Sequence, residues 1–123
     1  MEFFAQVLLI AVGLVHLAPG VVALSAAQAR AAYGVDPANQ DLTVLLRHRA
    51  VLLVLVGAAM LAGAFVEELR VPAMIAGAVS MATFIVFAFG ARDANPRIRR
   101  VAQVDVVALI ALAVAAVIFA VWA

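Results

Sequence analysis

The chain has no cysteine and no lysine, a single tryptophan, a single tyrosine and few charges of either sign. Without cysteine there are no disulfides, no thiolate metal sites and no thiol redox chemistry. Charged residues make up 12% of the 123 positions, against about 25% in an average soluble domain. The net charge of +1 argues against nucleic acid as a partner, since phosphate binding needs a concentrated basic face. There is no phosphate loop, no nucleophile elbow and no pair of carboxylates within one apolar run, so no catalytic pattern for an enzyme is legible.

What is abundant is apolar: 69% of residues, with a mean hydropathy of +1.23. A soluble fold this short has no interior large enough to hide that surface. The surrounding medium is therefore lipid. Four apolar runs follow, at about 3–24, 47–66, 71–90 and 100–122, each near the roughly 20 residues a bilayer core demands. They predict one domain, 1–123, an all-α integral membrane protein built as an antiparallel four-transmembrane-helix bundle. Met1-Glu2-Phe3-Phe4 lacks the basic start of a signal peptide, so the first span is expected to be retained.

In the first span Gln6, Leu9, Gly13, His16 and Gly20 share one helical stripe, which is expected to face protein. Pro19 is expected to kink or interrupt that helix. Residues 25–33 are expected to continue as a helix, lying on the membrane surface or projecting from it and ended by Gly34, and residues 34–40 form a turn-rich connector. Asp41 is the expected N-cap of the second helix. Ala59-x-x-x-Gly63 and Ala73-x-x-x-Gly77 allow close helix approach. Glu67-Glu68-Leu69-Arg70 reads as a tight charged corner, solvated at Glu67-Glu68, with Pro72 in the first turn of the third span. Asn95-Pro96 supplies an N-cap and a first-turn proline for the fourth.

Connectors 25–46 and 91–99, with the residues that border them, hold Arg30, Arg47, Arg49, Arg92, Arg97, Arg99 and Arg100, while the opposite side holds only Arg70. The positive-inside rule places both connectors in the cytoplasm and both termini outside. Phe3, Phe4, Phe65 and Trp122 then fall at the outer interface, where aromatic rings are favoured.

The candidate site is built on Arg47, His48 and Arg49, with His16 and Asp105 brought to the same side. Asp105 lies about 7 Å past Arg100 along its helix and has no basic residue three or four positions before it, so its partner is expected from another helix, Arg49 first and Arg47 next. It acts either as a ligand or proton-handling group or as an interhelical pin. Arg47 and Arg49 point about 200° apart, so one faces the bundle and the other the headgroups. A planar guanidinium can hold an oxyanion by two bonds; its plainer role is a lipid-phosphate anchor. His16, roughly 12 Å inside the membrane, is a neutral imidazole bonded to a carbonyl, Ser80 or Thr83, or else a proton or ligand contact. Haem ligation by His16 and His48, or a metal set of His16, His48 and Asp105, lacks any supporting motif, and no cofactor and no metal are expected.

Asp41-Leu-x-x-Leu-Leu-Arg47-His48-Arg49-Ala50-Val51-Leu52, together with Arg99-Arg100-Val101-x-x-x-Asp105-Val-Val-Ala108-Leu109, resembles a group of small bacterial four-span membrane proteins, DoxX-like in size and layout. The resemblance extends along the whole chain, including Leu24-Ser25 and Tyr33-Gly34. Some members carry the label phosphopantetheine adenylyltransferase, which does not suit this chain, since that activity needs a soluble α/β nucleotide fold. The resemblance implies a multi-pass protein of the bacterial inner membrane and supplies no catalytic residues. The leading functional expectation is a bundle that binds a lipid-like or small anionic amphipathic ligand at the cytoplasmic polar cluster. The alternatives are a subunit of a membrane redox or enzyme complex and a purely structural accessory subunit. Transport would require a homo-oligomer or larger assembly.

Overall fold

Each long apolar run becomes a helix because, without water, a backbone satisfies its own hydrogen bonds most simply within one segment. The computed structural model describes residues 1–22, 25–34 and 39–122. They form α1 (Glu2–Val22), α2 (Ala26–Tyr33), α3 (Gln40–Phe65), α4 (Glu67–Gly90) and α5 (Pro96–Trp122), with no strand among the described residues. Three of them, α3, α4 and α5, are long and apolar enough to cross a membrane. In α1 the apolar run is Glu2–Ala18. The end of the first span at Leu24 and most of the connector after Gly34 lie outside the described residues.

The four long helices form a ring in the order α1, α3, α4, α5, each packed on two neighbours. Neighbours run antiparallel: Gln6 meets Ala64, the Gly13 region meets Gly57, and Gly20 meets Ala50. Leu9, Val12, Met60 and Met81 are the largest fully buried side chains. The crossing of α1 and α3 is the tightest in the bundle. A Cβ on Gly57 would stand 2.8 Å from the Gly13 carbonyl oxygen and 3.0 Å from the Leu17 nitrogen, so only glycine permits that approach. The predicted stripe is the one that makes this contact: Leu9 and His16 are buried, and the Gln6 side-chain amide donates to the Ala64 carbonyl at 2.9 Å.

Outward, the surface is apolar on all four long helices. Phe3 and Leu14 of α1, Leu55 of α3, Phe87 of α4 and Val107 of α5 are between 50% and 77% exposed. An apolar belt of that extent has no place on a soluble monomer.

Three boundaries differ from the sequence expectation. First, α1 continues through Pro19 to Val22, so the proline does not end it. Second, α3 is capped by Asn39, not by Asp41. The Asn39 side chain accepts from the Leu42 nitrogen at 3.0 Å, and Thr43 Oγ1 donates back to the Asn39 carbonyl at 2.9 Å. Asp41 instead lies in the first turn, where its charge favours the helix N-terminus. As expected, the helix passes through Arg47, His48 and Arg49 without a break.

Third, α4 starts at Glu67, leaving Val66 as the whole corner and Pro72 inside the helix. The acidic pair Glu67 and Glu68 fills the first turn, and the Glu68 carbonyl that Pro72 cannot serve belongs to an exposed residue. Within the charged corner Glu67 and Glu68 are exposed, whereas Arg70 is buried. As expected, Gly34 takes the left-handed conformation after α2, with φ +65°, and Asn95 caps α5 by accepting from the Ile98 nitrogen at 3.0 Å.

Candidate functional site

At the end of the bundle where α2 sits, five helices converge on Arg49. The docking of α2 makes this possible. Asn95 Nδ2 donates to the Tyr33 carbonyl at 2.6 Å while its Oδ1 caps α5, so one side chain ties the end of α2 to the start of α5. Arg97 Nη1 donates to the Ala31 carbonyl, satisfying a second orphan carbonyl of α2. The Tyr33 ring is thereby buried against Ala50, with Leu46, Ile98 and Val101 around it.

Arg49 Nη1 donates to the Tyr33 hydroxyl. The guanidinium carbon lies 4.4 Å from the centroid of Phe84 on α4 and 5.4 Å from that of Tyr33, so the cation rests between two π faces. His16 from α1 is buried at 3% exposure, with Nδ1 3.3 Å from the Val12 carbonyl of its own helix. Asp105 from α5 is buried at 9% exposure. The Arg49 charge acts on both His16 and Asp105. Among the described residues, however, Asp105 forms no salt bridge. The expected Arg49–Asp105 pair is an electrostatic neighbourhood and not a closed contact, because an Arg49 terminal nitrogen is turned to Tyr33. Burial pushes the Tyr33 hydroxyl above its ordinary pKa, against the opposing pull of Arg49, so it stays protonated at neutral pH.

Arg49 also heads a groove between α3 and α4 of about 440 Å³. Its floor and walls come from Leu52, Leu53 and Val56 on α3 and from Ala76, Val79, Ser80, Thr83, Phe84 and Phe87 on α4. Thr83 is satisfied by the Val79 and Ser80 carbonyls of its own helix, at 2.7 and 3.2 Å. The groove therefore offers one cation at one end of an otherwise apolar trough.

The five residues singled out from sequence separate into two sets. Arg49, His16 and Asp105 are gathered at this end of the bundle. Arg47 and His48 are exposed on α3 and are not part of the cluster's interior. His48 lies nine residues before Gly57, the residue against which His16 packs, about 13 Å along the axis. Among the described residues no three His, Asp or Glu side chains converge, so His16, His48 and Asp105 do not assemble as a metal set.

Tyr33 and Phe84 were not among the sequence candidates. The available signal was that Tyr33 is the only tyrosine and directly precedes a helix-ending glycine. Arg70 was missed as well. At the opposite end of the bundle its Nε donates to the Gly63 carbonyl at 2.9 Å and its Nη2 to the Ala64 carbonyl at 3.2 Å. Its guanidinium lies 4.1 Å from the Phe119 centroid, and Nη1 is 3.8 Å from the Glu2 carboxylate.

No protein-family model, no curated protein and no solved structure matches this chain.

Proposed function

We propose that the chain is a four-span protein of a bacterial inner membrane, with both termini outside, that binds an amphipathic ligand by an anionic head at Arg49. The observation that carries this reading is the half-buried Arg49 guanidinium, without a carboxylate partner among the described residues, at the head of the α3–α4 groove. A groove of about 440 Å³ falls within the roughly 300–1,000 Å³ of small-molecule sites, and an apolar trough with one charge at its end suits a tail and a head. The apolar outer surface of α1 supports counting it as the fourth span. Six arginines in and beside the described segments at the Arg49 end (Arg47, Arg49, Arg92, Arg97, Arg99, Arg100), against Arg70 alone at the other, support the cytoplasmic placement of the site.

The test is native mass spectrometry, with an absorption spectrum, of the full chain extracted gently from its membrane. The expected outcome is a bound organic amphiphile in the wild type and its loss in Arg49→Gln at unchanged folding. A bare, colourless chain in both would overturn the reading in favour of an accessory subunit. A Soret band or a metal mass would overturn it in favour of a redox subunit.

A further inference from the structure

The same site carries a statement about which head it takes. We infer that the ligand is a single-chain amphiphile whose head is a monoanionic carboxylate, entering from the bilayer between α3 and α4. This inference rests on the binding reading above and adds the ligand class to it.

Charge gives the first argument. Half-buried Arg49 and buried Asp105 already sum to zero at this end of the bundle interior. The titratable and charged side chains gathered there are His16 from α1, Tyr33 from α2, Arg49 from α3 and Asp105 from α5; α4 contributes only the Phe84 ring and the hydroxyls of Ser80 and Thr83. A monoanion leaves one uncompensated charge, and a phosphate monoester dianion leaves two. Unpaired charge in a low-dielectric site is costly, and the cost climbs steeply with its size. Asp105 therefore acts as the discriminator against dianions.

Geometry gives the second. Arg49 Nη1 is committed to the Tyr33 hydroxyl, while among the described residues no hydrogen bond takes its remaining N–H groups. An open guanidinium edge presents parallel donors matched to the two oxygens of a carboxylate. The Tyr33 hydroxyl, buried and outside the groove lining, accepts from Arg49 and so fixes the guanidinium that faces the head.

The tail gives the third. From Phe84, over which Arg49 lies, Ala76 is eight residues away along the α4 wall, about 12 Å along the axis, enough for one extended chain of modest length. The volume is at the low end for ligand sites, which favours one chain over two. The outer lip is open: Leu52, Val79 and Phe87 are 48%, 57% and 74% exposed, on the surface that faces lipid.

The experiment is equilibrium binding of radiolabelled dodecanoate, dodecyl phosphate and dodecanol to the full chain in zwitterionic lipid nanodiscs at pH 8. Arg49→Gln, Tyr33→Phe and Asp105→Asn are measured beside the wild type. Wild type is expected to bind dodecanoate at least about tenfold tighter than either competitor, a difference of about 1.4 kcal/mol. Arg49→Gln should remove the preference over dodecanol. Asp105→Asn should bring dodecyl phosphate close to dodecanoate, and Tyr33→Phe should weaken dodecanoate several-fold. Dodecyl phosphate binding as tightly as dodecanoate in the wild type, with both lost in Arg49→Gln, would overturn the carboxylate assignment and leave the binding reading standing. Equal binding of all three, indifferent to Arg49→Gln, would overturn both. The wild-type ranking decides the carboxylate assignment even if a variant fails to fold.

Discussion

At each end of the bundle an arginine lies over a phenyl ring, Arg49 over Phe84 and Arg70 over Phe119, yet the two are engaged in opposite ways. Arg70 spends its N–H groups on the last-turn carbonyls of α3, at Gly63 and Ala64, with the Glu2 carboxylate close by. Those carbonyls have no intrahelical donors and carry the negative end of the helix dipole, so a cation there completes α3. Arg49 gives one N–H to a neutral hydroxyl and faces a groove. The same residue type is a saturated pin at one end and an open donor at the other. What separates them is not burial but how many of their donors already have acceptors.

The comparison breaks most visibly in stability. Arg70→Ala removes two charge-assisted bonds and leaves the Gly63 carbonyl without its side-chain donor, since Gln6 serves only Ala64. A loss of about 3 kcal/mol is expected, read as a lowered thermal or denaturant midpoint in mild detergent. The contact with the half-exposed Glu2 contributes little to this, so Glu2→Gln should be nearly silent. Arg49→Gln is expected to cost about 1 kcal/mol or less in the ligand-free protein, because it gives up one neutral hydrogen bond and a cation–π contact. Equal costs for Arg49→Gln and Arg70→Ala would make Arg49 a second pin.

Local periodicity made much of the bundle readable in advance. The stripe Gln6, Leu9, Gly13, His16 and Gly20 follows from helix geometry alone, and the structure packs it on α3. Asn95-Pro96 and Gly34 carry backbone preferences that need no tertiary partner. Where two residues compete for one role, sequence could not choose: Asn39 and Asp41 are both good caps, and the back-bond from Thr43 decides for Asn39. Glu67 and Pro72 compete in the same way for the start of α4. Tyr33 was not legible because its partnership with Arg49 depends on α2 folding back, held by a contact between residues 62 positions apart, and Phe84 because its contact depends on the register of α4 against α3. Arg70 looked like a corner residue because its acceptors are backbone carbonyls, which a side-chain pattern does not display.

A second variant acts between the two ends. Gly57→Ala puts a methyl group 2.8 Å from the Gly13 carbonyl and 3.2 Å from the His16 Cβ, and backbone is not a neighbour that yields by changing rotamer. The α1–α3 pair is expected to separate by some tenths of an ångström at a cost of about 2 kcal/mol. His16 and Gly57 are in contact, so the displacement reaches the Arg49 end more directly than the Arg70 end. Amide exchange should rise across Val12–Leu17 while Gly63 and Ala64 keep their protection. A uniform rise along α1 and α3 would mean that the two ends are not separable units.

A smaller effect than that of Gly57→Ala tests the clamp that gives Arg49 its shape. Asn95→Ala removes the α5 cap and the donor to the Tyr33 carbonyl together, while Arg97 still holds the Ala31 carbonyl. Loss of the cap alone is worth about 1 kcal/mol, and the bundle core, centred on Leu9, Met60 and Met81, is untouched. Asn95→Asp separates the two roles, since a carboxylate can still accept from the Ile98 nitrogen but cannot donate to Tyr33. Global stability should therefore recover in Asn95→Asp, whereas α2 should remain loosened, with faster amide exchange over Ala26–Tyr33 than in the wild type. Arg49 would then lose its hydroxyl partner without being mutated. If ligand affinity falls in both Asn95 variants while only Asn95→Ala loses stability, the docking of α2 is what turns a buried arginine into a binding group, and the contrast with Arg70 is one of scaffolding rather than of residue type.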